Sequence, residues 1–72
     1  MDFDKLSLNE RAELLWSRGK FLVTVNYYNQ KVNLYSMDGK YFELWYDVSG
    51  NQIEKIIPLT NTKLFSGYLK QN

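Results

Sequence analysis

The chain has no cysteine and no histidine, and only one proline and four glycines among its 72 residues. Without cysteine there is neither a disulfide framework nor a thiolate metal site. Without either residue, the two side chains most used as general base and nucleophile are missing. Charge of one sign is also lacking, since nine Lys and Arg against eight Asp and Glu leave a net charge of +1. Nucleic-acid and acidic-membrane binders usually carry a basic excess, so this balance argues against both. No apolar run approaches the roughly 20 residues of a bilayer span. The opening Met1-Asp-Phe-Asp-Lys5 is charged and lacks the apolar core of a signal peptide. These absences lead to the expectation of a cytoplasmic, soluble chain that is not an enzyme, holds no cofactor or metal, and contacts no membrane. There is no repeat, low-complexity run or linker, so residues 1–72 read as a single small domain.

What is present is aromatic and apolar. Aromatic residues make up 17% of the chain, and each supplies a large buried area. That matters in a chain this short, which buries only about 60% of its unfolded surface. The stretch Phe21–Asp47 is rich in β-branched and aromatic residues and is broken by two short turn signals. It predicts three consecutive antiparallel strands. Val48-Ser-Gly-Asn51 is a further turn signal, and Gln52–Ile57 predicts a fourth strand ended by Pro58. In that strand Ile53 and Ile57 share one side and Ile56 the other, unless a bulge intervenes.

Ahead of the strands, Ser7-Leu-Asn-Glu10 matches a capping box. It predicts a helix through Arg18, with Leu8, Ala12, Leu15 and Trp16 on one stripe at helical spacing. Trp16 on such a stripe reads as a core anchor. Gly19 fits a left-handed residue just past the helix end. After Pro58, the tail Thr60–Asn72 predicts a short helix capped by Thr60 or Asn61, with Leu64, Phe65, Tyr68 and Leu69 apolar. Gly67 inside it weakens the pattern. The fold class is thus α+β: an N-terminal helix on a four-stranded antiparallel meander in order 1-2-3-4, with a short C-terminal helix.

The turns set the register. Asn29-Gln30 is expected at the first, pairing Tyr27 with Val32 and Val25 with Leu34. At the second, a two-residue Asp38-Gly39 turn would place Leu34 opposite Glu43. A three-residue Met37-Asp38-Gly39 loop would place it opposite Phe42. A one-residue slip exchanges the faces. The three-residue loop keeps an apolar face continuous and is the expectation. It gives a core face of Phe21, Val23, Val25, Tyr27, Val32, Leu34, Phe42, Leu44 and Tyr46, on which the helix would lay Leu8, Leu15 and Trp16. The second face then carries Leu22, Thr24, Asn26, Tyr28, Lys31, Asn33, Tyr35, Tyr41, Glu43 and Trp45, with Tyr35 and Tyr41 as cross-strand neighbours.

That second face is richer in aromatics than a solvated one should be. Either the C-terminal helix covers it, or it binds something through Tyr28, Lys31, Asn33, Tyr35, Tyr41, Glu43 and Trp45. A protein partner, including a weak pairing with a second copy, is the leading expectation. The first strand is a long edge with no Pro and no charge between Lys20 and Lys31, open to strand addition. Single-stranded nucleic acid stacked on the aromatics ranks lower, since Lys31 and Lys40 lie nearby but Glu43 would sit in the middle and the net charge is almost nil. A small molecule between tail and sheet is a third class. Glu43 and Glu54 could lie diagonally and do acid–base work or hold a metal. Two solvated acids near Lys31 or Lys55 is the favoured reading, because no nucleophile, third ligand or phosphate loop accompanies them.

The pattern Glu10-Arg-Ala12, Leu15-Trp16, Gly19, Phe21-Leu22, Tyr28, Lys31-Val-Asn-Leu-Tyr35, Glu43, Trp45-Tyr-Asp47 and Ile53-Glu-Lys-Ile56 resembles a group of short uncharacterised bacterial proteins. The resemblance runs to about Leu59. It implies a small standalone bacterial protein with a helix followed by a meander. No activity is known for that group, so no functional residue is carried over from it.

Overall fold

The structure is a computed structural model, and it describes residues 2–59 and Phe65. A 3-10 turn (Phe3–Lys5) leads into helix α1 (Leu8–Arg18). Four strands follow: β1 (Lys20–Tyr27), β2 (Gln30–Met37), β3 (Lys40–Asp47) and β4 (Gln52–Pro58). They form one antiparallel sheet in the order β1-β2-β3-β4. The expected C-terminal helix lies outside the described residues.

The capping box is present as read. Glu10 donates its amide to Ser7 Oγ at 3.2 Å, and Ser7 donates its amide to Glu10 Oε1 at 2.8 Å. Gly19 follows the helix with φ −83°, so its backbone is extended rather than left-handed. A Cβ there would come within 2.6 Å of the Leu15 carbonyl oxygen, to which the Gly19 amide donates. Glycine is needed for that close approach and not for a positive φ.

The first two β-turns differ from expectation. The first is Tyr28-Asn29, so Val25 faces Val32 and Val23 faces Leu34. The register slides by two residues, which leaves Val23, Val25, Tyr27, Val32 and Leu34 on one face. A bulge at Leu22 then carries Phe21 over to the other face, where it pairs with Tyr35. The second turn is the two-residue Asp38-Gly39, with φ +54° and +79°. Two positive values are the signature of the I′ turn, whose twist matches the strands. Arg18 holds the Asp38 carboxylate at 3.0 Å, which ties this turn to the end of the helix.

The two-residue turn exchanges faces on β3 relative to expectation. Leu34 now faces Glu43, Val32 faces Trp45 and Tyr35 faces Phe42. Tyr41 pairs with Ser36, so Tyr35 and Tyr41 are not neighbours. In β4, Glu54 is skipped between the Trp45–Lys55 and Tyr46–Ile53 pairs. That bulge brings Ile53 onto the side of Ile56 and leaves Ile57 on the other.

The helix therefore covers a different face from the one expected. Ala12 and Leu15 pack on Tyr35, Met37, Phe42, Leu44 and Ile56, flanked by Phe3, Leu14, Tyr46 and Ile53. Val32 and Leu34 belong to a second cluster on the opposite face, with Leu22, Val23, Val25, Trp45 and Leu59 around them and Phe65 closing it. The helix is also rotated about its axis. Trp16 is 60% exposed and Leu8 is exposed, whereas Leu14 is drawn inward. The Arg11 guanidinium donates to the Ile56 carbonyl at 2.5 Å and to the Asp4 carbonyl at 3.2 Å, and it stacks over Phe3. These anchors turn the Arg11–Leu14–Arg18 flank toward the sheet. Trp16 is not a core anchor.

Candidate interaction surface

The seven residues expected to share one face do not. Lys31, Asn33 and Tyr35 lie on the helix face, since Lys31 pairs with Tyr46, Asn33 with Leu44 and Tyr35 with Phe42. Tyr35 is buried and belongs to the core. Tyr41, Glu43 and Trp45 lie on the opposite face, while Tyr28 sits at the tip of the β1–β2 hairpin.

The opposite face does bring a chain of aromatics together. Tyr28 packs edge-on to Tyr27 with ring centres 4.7 Å apart, and Tyr27 edge-on to Trp45 at 5.6 Å. The Lys55 ammonium lies 4.5 Å from the centre of the Trp45 ring, a cation–π contact. The Trp45 indole N–H donates to Glu43 Oε1 at 2.8 Å. Glu43 is only 2% exposed, and its Oε2 has no hydrogen-bond partner among the described residues. Glu54 accepts from Gln30 Nε2 at 2.5 Å. The two acids are thus engaged separately, and among the described residues no cluster of acids, His or Cys could hold a metal ion. No helix among the described residues is long and apolar enough to cross a membrane.

Sequence reasoning placed Tyr27 in the core, but it is exposed and joins Tyr28 to Trp45. The adjacent Tyr27-Tyr28 pair beside a turn was the available signal. Tyr28 is 91% exposed and has φ +58°. A bulky residue at positive φ is uncommon, and the first position of such a turn favours glycine. The Asn29 carbonyl accepts from the Val48 amide at 3.1 Å, which braces this hairpin tip against the β3–β4 turn. Tyr28→Gly should raise stability by about 1 kcal/mol, because it relieves the left-handed strain and gives up only the contact with Tyr27. Urea unfolding checks this; a loss of stability would mean that the Tyr27–Tyr28 packing outweighs the strain.

The two edges of the sheet are built differently. β4 carries the charged pair Glu54-Lys55, a bulge at Glu54 and a terminal Pro58. These are the usual devices that stop an edge from pairing. β1 has its bulge near the start, at Leu22, and no proline. From Phe21 to Tyr27 it has no charge. In a two-residue hairpin the residues flanking the turn, here Tyr27 and Gln30, exchange hydrogen bonds. By alternation Thr24 and Asn26 turn their N–H and C=O groups away from β2, and both side chains are exposed. Thr24 Oγ donates to Asn33 Oδ1 at 2.7 Å, which ties β1 to β2 on the helix face. Comparison with family models, with curated proteins and with solved structures gives no match.

Proposed function

We propose that this chain is a non-enzymatic protein-interaction module that receives an extended segment along β1. The observation that carries the reading is the contrast between the edges, with β4 guarded three ways and the segment Val23–Tyr27 left regular and uncharged. Strand addition draws affinity from main-chain hydrogen bonds and specificity from alternate side chains. Exposed Phe21 and Tyr28 flank the segment and exposed Tyr27 ends it; all three offer rigid aromatic area, and the two tyrosines add the polar tips that interfaces favour. Tyr35 has no part in it, because it is core.

The test is an amide NMR titration with the synthetic peptide Lys-Val-Thr-Val-Thr-Val-Lys. Saturable shifts confined to residues 22–28, with little dependence on salt, are the expected result. Shifts centred instead on Trp16 or Tyr41, or no saturable binding, would refute the reading. A stacking mode for single-stranded nucleic acid would differ by a steep salt dependence.

A further inference from the structure

We infer that the segment received by β1 is β1 of a second copy, paired antiparallel about a two-fold axis through Val25 to make a continuous eight-stranded sheet. This rests on the reading of β1 as a receiving edge and names its partner. Strand self-pairing is intolerant of unbalanced charge near its centre, because residues close to the axis lie opposite or diagonal to their own copies. The only charges bracketing the edge are Lys20 and Lys31. With Val25 opposite its copy, position 20 would fall opposite position 30, beyond the paired window.

The segment Val23-Thr-Val-Asn-Tyr27 has the same apolar and polar alternation in either direction. In this register Thr24 meets the copy's Asn26, and both are residues whose backbone groups point outward. Val23 meets the copy's Tyr27 on the opposite face. The rows of the existing sheet then continue across the seam. Trp45, Val32 and Val25 already lie in one row, which would run on through the copy's Val25, Val32 and Trp45. On the helix face Lys31 lines up through Asn26 with the copy's Thr24 and Asn33, not with its own copy. A seam of about five residues buries little area, so the dimer is weak and depends on concentration.

The experiment is solution mass by light scattering, from micromolar to millimolar, for the natural chain and two double variants at exposed positions. In Thr24→Lys/Asn26→Lys each lysine meets a lysine across the seam. In Thr24→Lys/Asn26→Glu each lysine meets a glutamate. The natural chain is expected to move toward twice its monomer mass. The Lys/Lys variant should stay monomeric, and the Lys/Glu variant should dimerise at a concentration lower by at least about tenfold than the Lys/Lys variant.

A natural chain that stays monomeric at millimolar concentration overturns the inference. Two variants that dimerise alike place the interface elsewhere and also overturn it. Two monomeric variants overturn the register, as lysines meeting at position 24 would do. If either variant melts well below the natural chain, amide exchange at Thr24 and Asn26 of the natural chain decides, because self-pairing slows it as concentration rises. A monomer that still binds the strand peptide loses only the self-pairing. A dimer whose edge refuses the peptide keeps self-pairing and sinks the wider module reading.

Discussion

Phe65→Ala is expected to lower stability by about 3–5 kcal/mol, the range for removing a fully buried Phe from a core. Phe65 is 1% exposed and packs on Val32 and Leu34, which are fully buried. A domain of this size has a total stability of about 4–11 kcal/mol. The single change therefore takes away much of the margin and leaves a substantial unfolded fraction at modest urea. The mechanism is specific. Val32, Leu34 and half-buried Val23, Val25 and Trp45 face away from the helix, and Phe65 is the described residue that closes over them. Trp16→Ala provides the contrast. A 60% exposed Trp should cost no more than about 0.5 kcal/mol. Urea denaturation of both variants reads the difference. A neutral Phe65→Ala, or a Trp16→Ala that costs more, would mean that the helix stripe and not the tail closes the core.

Glu43→Leu should raise stability, by about 1–3 kcal/mol, the range for the cost of a buried polar group left without a hydrogen-bond partner. Glu43 sits between Leu34 and Ile57 on the sheet and is almost wholly buried. One of its oxygens accepts from the Trp45 indole, and the other has no partner among the described residues. Leucine would suit the apolar neighbours but would leave the indole N–H without its acceptor, which offsets part of the gain. Thermal and urea unfolding give the sign. A loss of stability would mean that the bond from the Trp45 indole outweighs the cost of burying the other, unpartnered oxygen. A gain would mark Glu43 as a residue that lowers stability in its present place, and then its effect on the β1 titration becomes worth measuring.

The elements were legible because their signals are local. Ser7 and Glu10 three positions apart in a capping box, a run of β-branched and aromatic residues, and Asp38-Gly39 each act within a few residues of chain. The faces were not legible, and the reason lies in β2. Its residues are apolar on both sides, Val32 and Leu34 on one and Tyr35 and Met37 on the other, and all four are buried. The rule that one face is apolar and one polar therefore could not choose the register. Choosing the longer loop to keep a single apolar face put Phe42 and Leu44 with Val32 and Leu34. The I′ geometry of Asp38-Gly39, held by Arg18, puts them with Tyr35 instead. The candidate surface suffered the same error: its seven residues scattered to two faces and a hairpin tip, while the edge character of β1 was visible from the start as a gap in charge.

The sequence by itself determined the order of elements, the helix cap, the four-stranded antiparallel meander and the uncharged first edge. Each of these depends on propensity and spacing along the chain. Only the tertiary structure decided which face the helix covers, that Trp16 stays outside, that Glu43 is buried beside Trp45, and that Phe65 closes the second cluster. Those outcomes depend on how Arg11, Phe3 and Phe65 meet residues distant in sequence. Such packing sets the rotation of a helix and the choice between two apolar faces, and no local pattern encodes it.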